Sequence, residues 1–398
     1  FMQSISQYSK SQAGQIPLQP RGTDHSQTSV HNRLLVWELL RQHGPQSRSQ
    51  LRDLSSMGSS TLTYAVRDLL ENNIVRPKGK RRSKTVGKKQ EFVEMNPDYG
   101  WFGGFFIEGS EISILAMDAA GNPLDHRRVS YGDRFEDALD AIDHYFKQGP
   151  LGDLTHDHKP LGLGFAIPGI VDFRSGKIVQ SWRLGLSDFD LAKAVKKRWG
   201  ITTPVIENDV KLAAWAEAEH LGANLPDSMI FLALNAAPDT DTDTDTKIYG
   251  MGMSVIQHGQ LQSGIHNSAG ELDGLRSTLG KLELSAPQIQ ILQSPDAPLD
   301  TGIHTFGALL SHLLSILVDL IDPATVILGG SLAIQNKAFL DLLQKQVLKQ
   351  RILHHCDQPH LCASAHGEQG VAMGAAMLAR RNAIRNSLTS LDFKPTRR

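Results

Sequence analysis

The chain has 398 residues, 40% of them hydrophobic and 21% charged, with a formal charge of −1, the composition of a soluble globular protein of two or three domains. Two cysteines, Cys356 and Cys362, exclude a disulfide framework and favour a reducing setting; no apolar run approaches the roughly 18 residues of a membrane span and the polar N-terminus lacks an apolar signal core, so the expectation is a cytoplasmic protein without membrane contact. The charge is segregated: residues 1–98 hold 15 Lys or Arg against 8 Asp or Glu, and the remainder 26 against 34, so a basic head joins an acidic body.

Residues 1–28, rich in Ser, Gln and Gly, read as a flexible tail. From His31, the residues Leu34, Leu35, Trp37, Leu39 and Leu40 form a helical stripe that stops at His43-Gly44-Pro45. Ser47 caps a short second helix with Leu51 and Leu54, and Met57-Gly58 makes the turn before Ser59 opens a third. Leu62, Val66 and Leu69 share one face of this third helix, leaving Ser60, Thr63, Tyr64 and Arg67 on the other; with Ser59 and Thr61 these are candidate DNA contacts. Ile74 to Met95 reads as strand, loop and strand, with eight basic residues and no acidic one between Arg76 and Lys89. Such a run is commonly a solvated loop, but directly after a recognition-type helix it is a wing, and Lys80, Arg81, Arg82, Lys84, Lys88 and Lys89 are its candidate phosphate or minor-groove contacts. Residues 29–96 are therefore assigned as a winged helix-turn-helix DNA-binding domain.

Asn96-Pro97-Asp98-Tyr99-Gly100 marks the boundary to a body spanning residues 97–398. Two strands follow from Trp101 to Asp118 around a Glu-Gly-Ser turn, then a helix from Phe135 to Phe146 and a buried strand from Leu161 that ends in the Pro168-Gly169 loop. The second half repeats the pattern: strands at Met229–Leu234 and Ile248–Ile256, a turn at His258-Gly259-Gln260, a strand at Thr325–Leu328 running into Gly329-Gly330, and a last helix from Val371 to Arg381. Two similar α/β halves with a cleft between them are expected.

The body is organised around Pro204 to Glu217. Val205 and Ile206 run into Glu207-Asn208-Asp209, and Lys211 to His220 has helical composition, so the three polar residues sit at a strand-to-helix junction. Carboxylate and amide side chains there can hold a polyhydroxylated ligand; the plainer reading is that Asn208 or Asp209 caps the helix.

In its order of motifs the chain resembles the ROK family (repressors, open reading frames and sugar kinases) in its transcriptional-regulator form. The resemblance covers roughly Ser29 to Ala383 and rests on the winged head, Gly164 to Asp172, Glu207-Asn208-Asp209, Gly250-Met251-Gly252, Ser268-Ala269-Gly270-Glu271, Leu328-Gly329-Gly330 and Gly370 to Ala379. It implies a two-lobed actin-like ATPase fold of ribonuclease H type, a sugar or sugar-phosphate effector between the lobes, double-stranded operator DNA as partner, and dimers or tetramers. Carried over, Asn208 and Asp209 match the pair that binds sugar hydroxyls, Asp209 also the general base of kinase members, Glu271 a second sugar-binding carboxylate, and Gly169 a backbone approach to the sugar. Gly250, Gly252, Gly329 and Gly330 match part of a nucleotide cradle, with turn geometry as the alternative.

The departures matter equally. Where kinase members carry Asp-x-Gly-Gly-Thr, this chain has Phe106-Ile107-Glu108-Gly109-Ser110, which argues against productive ATP and magnesium binding. The family's zinc ligands after Gly-Glu-x-Gly-His are replaced by Gly270-Glu271-Leu272-Asp273-Gly274, so no zinc is expected, and Asp273 is the candidate for the sugar contact of the missing His. In the wing, Lys88-Lys89 follows Gly87 where the family carries Arg. His354, His355, Cys356, His360, Cys362 and His366 have no metal-finger spacing, and the Asp-Thr tract from Thr240 to Thr246 reads as a solvated insertion. The expected function is a sugar-responsive regulator, a repressor without kinase activity; a sugar kinase bearing a DNA-binding head and an architectural DNA-binding protein are the alternatives.

Overall fold

The computed structural model describes residues 25–81, 90–148, 159–236, 245–272, 283–350 and 358–390. The first apolar stripe folds as α1 (His25–His43), which starts at His25 rather than His31, while residues 1–24 of the expected tail lie outside the described residues. Val36, Trp37, Leu39 and Leu40 are buried, whereas Leu34 and Leu35 are half-buried. After β1 (Gln46–Ser47), Ser47 and Gln50 form a reciprocal capping box that starts α2 (Arg48–Ser55). Leu51 is buried there, but Leu54 is exposed.

Helix α3 (Ser59–Glu71) buries Leu62, Ala65, Val66 and Leu69. Strands β2 (Val75–Arg81) and β3 (Gln90–Met95) pair antiparallel, and β1 joins the far edge of β3. Two of the eight cations of the basic run are structural. Arg76 and Lys78 pair with Glu94 on the opposite strand at 3.1 and 2.7 Å, and Arg76 also meets Asp98 at 3.0 Å.

The body opens with β4 (Trp101–Glu108), β5 (Glu111–Asp118) and β6 (Pro123–Ser130), an antiparallel meander. Strand β6 has no counterpart in the sequence reading, because a largely exposed edge strand carries no apolar alternation. Helix α4 (Phe135–Gln148) follows, and β7 (Gly162–Ile167) returns parallel to β4. A small antiparallel sheet of β8 (Ile170–Asp172), β9 (Lys177–Ser181) and β10 (Leu186–Asp190) then leads to α5 (Leu191–Trp199), capped by Asp190. Strand β11 (Val205–Asn208) pairs parallel with β7, completing the order β11-β7-β4-β5-β6, and runs straight into α6 (Asp209–Leu221).

The second lobe is built on β12 (Ser228–Ala236), β13 (Asp245–Gln257), β14 (Gln260–Leu261), β15 (Glu283–Ser285), β16 (Thr325–Gly329) and β17 (His360–Ala363), with the main order β14-β13-β12-β16-β17. Asp245 and Thr246 pair with Ser285 and Leu284, so the end of the Asp-Thr tract is sheet; residues 237–244 lie outside the described residues. Helices α7 (Ala286–Gln293), α8 (Thr301–Ile321) and α9 (Lys337–Gln350) accompany this sheet. Contrary to the reading of uninterrupted apolar runs, α8 is long and apolar enough to cross a membrane by length and composition. It is a core helix here, with Ile303, Phe306, Leu310, Leu313, Leu314, Leu317 and Val318 buried against the sheet.

The last helix, α10 (Gly370–Ser390), runs nine residues beyond the predicted end at Arg381. The extension buries Ile384 and Leu388 in one apolar cluster with Trp37 and Leu40 of α1 and Phe102 and Leu115 of the first sheet. Its other end lies against backbone: a β-carbon at Gly104 or Gly164 would run into the carbonyl oxygen of Ala372 or Ala375, and one at Gly374 into that of Leu212 in α6. Beside this contact Glu219 of α6 pairs with Arg41 of α1 and lies 3.6 Å from Arg380 of α10, all three side chains being largely buried. Removing that carboxylate leaves Arg41 with Glu38 alone and takes from the buried Arg380 its ion-pair partner, so Glu219→Gln is expected to cost about 3 kcal/mol in urea unfolding. Arg48→Ala, which breaks the exposed pair with Glu91, is expected to cost less than about 1 kcal/mol.

Candidate effector site

Strand β11 is buried along its whole length, so its last two residues deliver polar side chains into the protein rather than to its surface. Glu207 accepts a hydrogen bond from the Asn208 N–H at 2.8 Å and lies 3.7 Å from the buried ammonium of Lys211. Burial raises the Glu207 pKa, partly offset by Lys211. Asn208 does two jobs. Its Oδ1 accepts from the Lys211 N–H at 3.1 Å, capping α6, and its Nδ2 donates to the Gly169 carbonyl at 3.0 Å, tying the junction to the Pro-Gly loop. Asn208 therefore caps the helix, as the plainer sequence reading has it, and the same side chain fixes the Pro-Gly loop.

That loop is held from below. Ser181 donates its hydroxyl to the Pro168 carbonyl at 2.6 Å, and Gly169 adopts φ +131, with the Gln180 carbonyl where a β-carbon would stand. On the opposite lobe Gly270 (φ +95) lies against the Met253 carbonyl, Met253 N–H donates to the Gly270 carbonyl at 2.9 Å, and Glu271 bridges to Gly252 of β13. Lys211 reaches across to donate to the Asn267 carbonyl at 2.8 Å, so the first lobe grips the loop that carries Glu271.

Between the lobes this arrangement leaves a cavity of about 200 Å³ lined by Gly169, Asn208, Asp209, Glu271, Gly250 and Gly252 with Glu108, Trp182 and Arg183. Its size suits one sugar ring, well below cavities for drug-sized ligands. Of the residues expected there only Asp273 lies outside the described residues. Gly330 lines an adjoining cavity with Asp209, Phe106 and Glu108, but Gly329 does not border it. Gly252, Gly329 and Gly330 each have a packing reason: β-carbons would meet Val210, the Phe231 ring and the Leu234 backbone. Sequence reasoning missed Trp182, Arg183 and Lys211. Trp182 and Arg183 stand in a polar turn after β9 without periodicity, and Lys211 looks like an ordinary helix lysine.

Of the candidate DNA contacts of α3, Ser59, Ser60, Thr63 and Tyr64 are exposed, Thr61 and Arg67 half-buried, and the Arg67 guanidinium lies 4.9 Å from the centre of the Tyr64 ring. The side chains of Lys80 and Arg81, and all of Arg82, Lys84, Lys88 and Lys89, lie outside the described residues, as do His354, His355 and Cys356.

Asp209 carries the main electrostatic tension. Burial, and after it the charges of Glu108 and Glu271, push its pKa up to about 7, with an opposing hydrogen bond from the Val210 N–H. The folded protein then retains a proton that the unfolded chain, at an ordinary 3.8, has lost, so stability from this group falls as pH rises toward 7 and stays low above it. Asp209→Asn is expected to be more stable than the parent at pH 8 by on the order of 1–3 kcal/mol, with the gap narrowing toward pH 5, read from thermal melts. A gap independent of pH would contradict this assignment.

A model of the ROK family matches residues 103–275 and 284–382. The xylose repressor of Bacillus subtilis is 23% identical over 384 residues, covering 88% of this chain and 94% of its own length. The N-acetylglucosamine repressor of Escherichia coli O6:H1 is 20% identical over 370 residues, covering 81% and 85%. Among solved structures, a ROK family transcriptional regulator described as a homolog of the E. coli MLC protein superposes with TM-score 0.67 at 16% identity over 91% of this chain and 98% of its own. A ROK family glucokinase from Streptomyces griseus, in complex with glucose and AMPPNP, superposes with TM-score 0.52 at 20% identity over 71% and 100%. The mixed α/β body shared with these regulators and kinases, together with the family match over most of its length, establishes that this chain belongs to the ROK family.

Proposed function

We propose that this protein is a sugar-responsive DNA-binding transcriptional repressor, with a winged helix-turn-helix over residues 29–96, an effector domain over 97–398, and assembly as a dimer or tetramer. The observation that carries the reading is the path of α6. Its first residue, Asp209, lines the cavity between the lobes, and Glu219 near its far end pairs with Arg41 of α1. Sugar hydroxyls donating to Asp209 and Glu271 would bring the lobes together, and a rigid helix passes any tilt to the DNA-binding unit. Half-sites on a duplex have fixed spacing, so a small rearrangement of paired heads weakens operator binding. The repressors similar to this chain support the same reading.

Phosphoryl transfer is not part of the proposal, and neither zinc nor nucleotide is. A second cavity of about 690 Å³ adjoins the first, but Phe106, Glu108, Glu111 and Glu368 line it. A triphosphate there would meet three carboxylates. The two arginines that border it are both engaged, Arg128 with Glu368 and Arg183 with Glu108 at 3.2 Å. Phe106 offers no ligand for magnesium.

Genomic fragments retained by the full chain at near-physiological salt are expected to share a two-fold repeat, and Arg67→Ala to weaken their binding about tenfold or more. A sugar panel drawn from the neighbouring genes is expected to release the parent protein but not Asp209→Ala. Retention of featureless DNA that washes off with modest salt would sink the repressor reading.

A further inference from the structure

Helix α3 holds an aromatic ring and a guanidinium together on its solvent side. Ser60, Tyr64, Arg67 and Glu71 recur at spacings of four, three and four, which lines them up along the helix, while Leu62, Ala65, Val66 and Leu69 supply its buried face. Tyr64 is the one aromatic residue of α3, yet it is 56% exposed, and the Arg67 guanidinium sits over its ring. Other arginines of the same unit spend their donors within the chain: Arg48 bonds Glu91, Arg52 bonds Asp53, and Arg76 bonds Glu94 and Asp98. Arg67 donates no hydrogen bond among the described residues. Glu71 and Asp68 stand 3.6 and 3.9 Å from it, beyond hydrogen-bond reach, and Asp68 is shared with Arg33. Tyr64 thus fixes where the guanidinium lies, and the donors of that guanidinium stay unspent.

On a duplex, the O6 and N7 acceptors of guanine match the planar fork of arginine in the major groove. A phosphate oxygen is the other target, but beside Glu71 and Asp68 an anion is opposed, whereas the neutral edge of a base is not. The Tyr64 ring has a matching use in apolar contact with the 5-methyl group of thymine. The two groups cannot read distant bases. Their separation of 4.9 Å compares with a rise of roughly 3.4 Å per base pair, so they fall on one pair or on neighbouring pairs. We propose that Tyr64 and Arg67 form one reading unit specific for a thymine beside a guanine, Arg67 bonding the guanine edge and Tyr64 packing on the thymine methyl. The inference rests on the DNA-binding reading of residues 29–96 and narrows it to the base step that α3 selects.

The test is selection from a randomised duplex pool by the full chain at near-physiological salt, for the parent, Tyr64→Ala and Arg67→Lys, followed by titration of the selected site with deoxyuridine at the thymine of that step. The parent is expected to select a motif containing neighbouring T·A and G·C pairs. Deoxyuridine, which removes only the methyl and leaves the protein untouched, is expected to weaken binding by the parent about fourfold and to leave binding by Tyr64→Ala unchanged. Arg67→Lys, which keeps the charge but not the fork, is expected to lose about tenfold in preference for the guanine. Variants that bind every sequence more weakly by one common factor, with the parent's motif unchanged, make these residues backbone contacts and overturn the inference while the repressor reading stands. Equal losses on deoxyuridine for the parent and Tyr64→Ala overturn it too. Featureless DNA in the parent's selection overturns both.

Discussion

The close approach of α6 and α10 at Gly374 is the contact on which the rest of the molecule depends. With the Leu212 carbonyl occupying the space of a β-carbon, the two helices touch backbone to backbone, and Gly104 and Gly164 let the same helix settle onto two strands of the first sheet. Backbone contact of this kind leaves little freedom to slide, because a shift of one residue places side chains where only hydrogen fits. Helix α10 is thereby fixed to the first sheet and to α6 at once, and its C-terminal turns reach the N-terminal helices through Ile384 and Leu388.

From that fixed point α6 gathers interactions along its length. Asn208 caps it and holds the Pro-Gly loop, Lys211 reaches the Asn267 carbonyl, Glu217 accepts from the Ser364 hydroxyl at 2.6 Å and from the Ala365 N–H at 3.2 Å, and Glu219 takes Arg41. Each is a polar group whose burial is tolerated only with its partner in place. A helix so anchored moves as a unit if it moves at all. The cavity between the lobes and helix α1 are therefore joined by one helix, with Asp209 at one end and Glu219 near the other. At the start of α6, burial and the charges of Glu108 and Glu271 raise the Asp209 pKa to about 7.

Much of the site was legible where chemistry is written over consecutive residues. Val205 to Asp209 announces a buried strand turning into a helix, and Asn208, Asp209, Gly169 and Glu271 do converge on one cavity. The three N-terminal helices and the hairpin were equally legible, since caps, glycine turns and apolar spacing act within a few residues. What escaped has a common cause. Strand β6 is polar on an exposed edge, the extension of α10 past Arg381 is stabilised by helices more than 300 residues away, and Trp182 and Arg183 sit in a turn whose conformation no periodicity records.

By itself the sequence determined the order and type of most elements and the basic head and acidic body, because each is a property of neighbouring residues. The tertiary structure alone decided that Glu108 pairs with Arg183 beside Asp209 and Glu271, that Arg76 and Lys78 of the basic run are held by Glu94, and that Glu219 joins α6 to Arg41. The reason is chain closure. These partners are set by which backbone segments can approach closely enough to exclude water, and at Gly104, Gly164 and Gly374 that approach is governed by contacts between segments far apart in the chain.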